Sequence, residues 1–184
     1  MELDKAIQKR HSTRKFKQKA PDWKDIIECI NSARFAPMAG NNYSVKFILI
    51  KDKETIQKLA DAAQQQFIAQ TSYVVAVCSN TTRTLNLYGE RGKSYLKQQA
   101  GAAVQNFLLK IEEKGLATCW IGYFVDYLVK EALKIPPEIN IEAIFPVGYS
   151  AEKLKPKRKI DLDNILYFDK YNQKKMKPPK TLEV

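Results

Sequence analysis

The sequence is poor in the residues that most often announce a chemistry. It has a single histidine, His11, which excludes a His-rich metal centre and an HExxH zinc site and leaves any Ser-His-Asp triad to be built on that one ring. Its three cysteines, Cys29, Cys78 and Cys119, are odd in number and about 40 to 50 residues apart, matching neither a disulfide framework nor paired zinc ligands. Each reads as a small buried hydrophobe. No two of its seven glycines lie two positions apart, so GxGxxG is absent, and there is no Walker A loop. No run of about 18 apolar residues occurs, and the start Met-Glu-Leu-Asp-Lys carries no apolar signal region. The expectation is a cytoplasmic protein with no membrane partner.

What is present is an ordinary globular composition with an unusual charge. The 184 residues, 45% hydrophobic and 28% charged, suit one domain that needs neither metal nor disulfide for stability. The net charge is +11, and it is unevenly placed. Residues 1–24 hold eight basic and three acidic groups, residues 151–184 hold ten and five, and the middle 126 residues are nearly neutral, 13 against 12. A nucleic-acid interface would spread its basic groups along one face. Charge gathered at the two ends fits a compact anion site if the fold joins them, or two solvated tails if it does not, and nucleic-acid binding is the weakest reading.

Periodicity gives the elements. Leu3, Ala6 and Ile7 share one face of a short helix ending near Arg10 or His11, and Asp22 caps a helix whose apolar stripe runs to about Phe35. Pro37 and Gly40 to Asn42 spell a loop, VKFILI over 45–50 a strand, 54–70 a helix and YVVAVCS over 73–79 a second strand. Residues 80–94 read as a loop with at most one helical turn. A long helix is expected over 95–114, closed by Gly115, then the apolar LATCWIGYF, a helix over 127–133 and the strand IEAIFPVGY. Helices alternating with strands, without repeats or linkers, argue one α+β or α/β domain over 1–184 with a basic tail at about 151–184.

Three segments carry candidate chemistry. In Arg10-His11-Ser12-Thr13-Arg14-Lys15-Phe16, two guanidiniums bracket two hydroxyls, a set suited to phosphate and equally to a solvated basic loop. Pro37-Met38-Ala39-Gly40-Asn41 is either a turn or a loop able to lay main chain against a flat ligand. Gly122, in Cys119-Trp120-Ile121-Gly122-Tyr123-Phe124, fits close ligand approach or plain packing.

Taken together, RHSTRKF, APMAGN, AGAAVQNFLL, GLATCWIGYF and FPVGYSAEKLKPKRKIDLDNILYFDKY resemble, in order and spacing, the nitroreductase family of FMN-dependent oxidoreductases. The resemblance implies an α+β sandwich, with a central, mostly antiparallel sheet flanked by helices, that forms a homodimer with FMN at its interface. It implies that Arg10, Ser12 and Arg14, with His11 between them, contact the FMN phosphate, ribityl chain and ring edge. It implies that Met38 and Asn41 come from the partner subunit, that Ile121 and Gly122 lie against the flavin ring, and that either Arg158 or Lys159 meets the phosphate.

The expected activity is ping-pong transfer of electrons from NADH or NADPH to a small nitroaromatic or quinone-type acceptor, with no dedicated acid or base. Two features depart from the family pattern. Met38 stands where serine is usual, with Tyr43, Ser44 and Val45 where glutamine, proline and tryptophan are, and Gln99 replaces a frequent acid. They suggest the alternative of a flavin-binding protein without efficient turnover. Tyr43, Tyr88 and Phe124 are candidate walls of an acceptor pocket, and a lid is expected to be reduced to residues 80–95.

Overall fold

Helix α1 (Leu3–Lys9) opens the chain in a computed structural model that describes residues 1–153 and 159–176. Asp22 then starts α2 (Trp23–Ala33), its carboxylate accepting the Lys24 N–H at 2.9 Å and so satisfying one of the donors a helix start leaves open. Next come β1 (Val45–Ile50) and α3 (Lys53–Ala62), which Asp52 caps by accepting from the Thr55 N–H at 2.8 Å. They are followed by β2 (Tyr73–Asn80), α4 (Thr82–Tyr88), α5 (Glu90–Glu113), β3 (Ala117–Thr118), α6 (Asp126–Leu133) and β4 (Ile139–Gly148).

The four strands form one antiparallel sheet in the order β1-β2-β4-β3. Strand β2 is buried on both faces, and its side chains alternate between two layers. Val75 and Val77 join Ile26 and Cys29 of α2 and Ala103, Val104 and Phe107 of α5. Val74, Ala76 and Cys78 join Ile56 and Leu59 of α3 and Val129 of α6. The sheet is therefore the middle of a helix-sheet-helix sandwich, the α+β architecture expected. Opposite Val77 and Cys78, β4 carries one extra residue, Glu142. Its nearly buried carboxylate accepts from the Ser79 hydroxyl and pairs with Lys97 of α5 at 2.8 Å.

All three cysteines are buried, and desolvation pushes the Cys29 thiol up to about 12 and Cys78 to about 11, so both stay protonated and inert near neutrality.

Two expectations need correction. Residues 80–94 are helical: α4 is followed by a sharp break at Gly89 (φ 52°), and α5 starts at Glu90, five residues earlier than expected. The polar sequence hides this because only Thr84 of α4 is buried, so no apolar stripe marks the helix. The helix expected over 54–70 stops at Ala62. Gln64 enters the left-handed region (φ 54°), and residues Gln66–Gln70 form a separate 3-10 turn. Of the apolar face of α1 only Ala6 is buried, while Leu3 and Ile7 are 64% and 50% exposed.

The chain divides into two compact units, Met1–Glu152 and Lys153–Val184. Among the described residues, the second contains a 3-10 turn at Leu162–Asn164 and an edge-on Tyr167–Tyr171 ring pair. No helix among the described residues is long and apolar enough to cross a membrane.

Candidate functional site

Residues 10–16 run from the end of α1 as an extended strap along the sheet edge formed by β3 and the end of β4. Main-chain bonds pin it there: the Thr13 N–H donates to the Thr118 carbonyl at 2.9 Å, Lys17 N–H to Tyr149 at 2.9 Å, and Ala151 N–H to Lys15 at 2.9 Å. The Arg14 N–H donates to a Glu152 carboxylate oxygen at 2.9 Å. Phe16 is buried against Gly148, where a Cβ would come within 3.0 Å of its ring, so the anchor depends on a glycine.

Over residues 10–14 the side chains fall into two sets, an alternation that ends at Phe16, which is buried. Thr13 is fully buried. Its hydroxyl bonds the His11 Nε2 at 3.0 Å, while His11 Nδ1 bonds the Lys9 carbonyl at 3.1 Å and lies 3.9 Å from Glu112 of α5. Arg10, Ser12 and Arg14 form the other set. Ser12 and Arg10 are half-buried and Arg14 is exposed, and among the described residues neither guanidinium pairs with a carboxylate.

The strap reaches the residue just before the Cys119–Phe124 segment, since Ser12 forms a bridge with Thr118 of β3. Three residues on, Ile121 exchanges both main-chain bonds with Ile144 (3.0 and 2.9 Å), which buries its side chain and leaves Gly122 exposed beside it. A Cβ on Gly122 would meet only the Trp120 ring nitrogen at 3.8 Å, so the main chain here is open to a ligand. Trp120 is itself half-exposed and stands edge-on to Phe145.

The Pro37–Asn41 segment and the residues that follow it to Ser44 are held against α4 and α5. Gly40 has φ 58°, and a Cβ there would meet the Tyr88 hydroxyl at 2.6 Å. The Asn42 amide donates to Thr84 Oγ1 at 3.0 Å, and the Ser44 hydroxyl donates to Gln99 Oε1 at 3.1 Å. The two departures noted in the sequence, Ser44 and Gln99, are thus partners. The Gln99 Nε2, fully enclosed, has no partner among the described residues. Next to it lies a cavity of about 430 Å³ lined by Pro37, Met38, Ala39, Tyr95 and Gln98. Met38 is half-buried, Asn41 is exposed at φ 52°, and Tyr88 stacks edge-on against Tyr95. Tyr43 and Phe124 pack against the two core layers.

Arg158 lies outside the described residues, and Lys159 is exposed in the second unit. The structure thus pairs the strap with Thr118, four residues before Gly122, within one unit. Thr13, one of the two hydroxyls expected in the phosphate-suited set, is instead buried against His11, and Thr118, Glu112 and Glu152 were not among the expected residues. Alternation along the strap was the signal for Thr13, and none marked the others.

The fold and these segments define an α+β sandwich with an unpaired basic strap and an open glycine on one sheet edge. The sequence model of the nitroreductase family matches residues 7–149. A protein of Archaeoglobus fulgidus, provisionally named NADH dehydrogenase/NAD(P)H nitroreductase, is 26% identical over 154 residues, 81% of this chain and 86% of that one. A crystal structure of a nitroreductase family protein from Clostridium novyi NT superposes with a TM-score of 0.75 at 28% identity, covering 94% of this chain and 96% of that one. The fold is shared also with an FMN-dependent nitroreductase of Clostridium difficile R20291, at a TM-score of 0.77 and 23% identity over 90% of this chain and 98% of that one. The chain belongs to the nitroreductase family.

Proposed function

We propose that this protein is an FMN-dependent oxidoreductase that draws electrons from NADH or NADPH and delivers them to nitroaromatic or quinone-type acceptors. The carrying observation is the strap: two guanidiniums with no carboxylate partner among the described residues flank Ser12 on a main chain pinned to β3, beside the open Gly122. The residues present suit FMN. Arg10, Ser12 and Arg14 supply charge-assisted and hydroxyl donors for a phosphate and its sugar chain. Bare main chain at Gly122, beside Ile121, gives a flat ring a surface to lie on. Met38 and Asn41 would present the second face of such a site from another subunit.

When bound, FMN supplies the redox chemistry, accepting hydride from the nicotinamide and releasing electrons to the second substrate. The chain's own residues bind and orient. The strap cations neutralise the phosphate, and the pinned edge fixes the depth at which the ring rests. Main chain left open at Gly122 would give donor and acceptor access in turn, which fits ping-pong order.

A homodimer accounts for apolar surface the single chain leaves bare. Leu3, Ile7 and Phe35 are exposed, and Met1, Leu3, Phe35 and Leu109 line an apolar groove of about 380 Å³ between α1 and α5. Purified protein should be yellow, sediment as a dimer, and bleach under anaerobic conditions on adding NADH or NADPH. Colourless protein that cannot be reconstituted with FMN rejects the reading.

One observation favours flavin binding without efficient turnover. The side chains of Asn42 and Ser44 are spent within their own subunit, which leaves loop 37–44 fewer groups for a ligand. Bound flavin that neither nicotinamide reduces would establish that alternative.

A further inference from the structure

The only histidine of the chain faces away from the set formed by Arg10, Ser12 and Arg14, and both of its ring nitrogens are occupied. The groups near Nδ1, the Lys9 carbonyl and the Glu112 carboxylate, can only accept hydrogen bonds, so Nδ1 must carry the proton. In the neutral ring Nε2 is then an acceptor, and it takes the hydroxyl proton of Thr13. The ring therefore spans the strap from residue 9 to residue 13, across the positions on which Arg10 and Ser12 sit. Thr13 in turn holds the sheet edge through its N–H bond to Thr118, and the ring and the Glu112 side chain are only 20% and 14% exposed. Nothing else described braces the strap between its exit from α1 and its first bond to β3.

We propose that His11 is a positioning residue: as the neutral Nδ1–H tautomer it locks the turn between α1 and β3, so that Arg10 and Ser12 are presented to the cofactor phosphate without reorganisation. Its ring supports those that touch the anion and does not touch it. The proposal rests on the FMN reading above. A lock of this kind lowers the ordering cost of binding, so its loss appears as weaker affinity for the phosphate-bearing ligand.

The test uses untagged full-length protein, in which His11 gives the only imidazole signals. A long-range proton–nitrogen spectrum reads the tautomer directly, and FMN and riboflavin affinities are measured by flavin fluorescence quenching. The Nδ1–H form is expected in the FMN-free protein. His11→Ala should weaken FMN binding by about tenfold, the equivalent of one lost positioning hydrogen bond, with a much smaller effect on riboflavin, which lacks the phosphate. His11→Asn, whose amide can still donate to the Lys9 carbonyl, should recover part of the loss.

An Nε2–H tautomer overturns the proposal, as does a His11→Ala variant that binds FMN like the wild type or loses riboflavin equally. Wild-type protein that binds neither flavin rejects the FMN reading itself and this inference with it. Wild-type binding with an indifferent His11 rejects the inference alone.

Discussion

The strap at residues 10–16 and the loop at 37–44 are held in opposite ways. Main-chain bonds to Thr118, Tyr149 and Ala151 fix the strap, so the side chains of Arg10, Ser12 and Arg14 stay uncommitted. In the loop the side chains do the holding: Asn42 on Thr84, Ser44 on Gln99, and the Tyr88 hydroxyl over Gly40. Where the backbone carries the fold, a substitution should register in ligand affinity. Where side chains carry it, a substitution should register in stability.

Four experiments can break that contrast. The largest effect is expected from Arg10→Ala combined with Arg14→Ala. Each lost charge-assisted contact should cost about 1.5 to 3 kcal/mol of FMN affinity by titration. The urea midpoint should hardly move, since exposed substitutions usually stay within about 0.5 kcal/mol. A double variant that unfolds early would show that the strap's side chains are structural after all. Gly40→Val should behave in the reverse way, losing about 2 kcal/mol of folding stability because a β-branched residue is forced to positive φ beneath Tyr88.

Asn42→Ala should lower stability by about 1.5 kcal/mol, since it leaves the buried Thr84 hydroxyl without its partner. Denaturant unfolding checks both loop variants. The smallest effect is a null one. The thiols of Cys29 and Cys78 are raised by burial to about 12 and about 11, so a disulfide reagent at pH 8 should modify neither until the protein unfolds. The same shifts mean that stability is full below the ordinary thiol range and declines as pH rises above it, where only the unfolded chain sheds these protons.

How much of this could be read beforehand depended on whether the signal was local. The Asp22 cap and the strand at Val45–Ile50 fall where short-range rules put them, because a capping carboxylate and a β-branched run act on their immediate neighbours. The break after Ala62 depends on Gln64 adopting a left-handed conformation that glutamine does not advertise. Helix α4 buries too little to leave a stripe. In the candidate site, Arg10, Ser12 and Arg14 were legible as one group, and the strap leaves those three side chains uncommitted among the described residues. The Ser44–Gln99 bond was not legible: it joins residues 55 apart, and two departures that each looked like a loss turn out to satisfy one another.

Glu142 has one more consequence. With it removed, β4 reads Ile139-Asn140-Ile141-Ala143-Ile144-Phe145, a strict alternation in which Ile139, Ile141 and Ile144 meet the α3–α6 layer and Ala143 and Phe145 the α2–α5 layer, as they already do. The sheet carries this carboxylate as a guest and keeps its phase on either side. Excising that single residue would leave every strand neighbour in place, while Lys97 on α5 would lose the carboxylate that reaches it from the sheet.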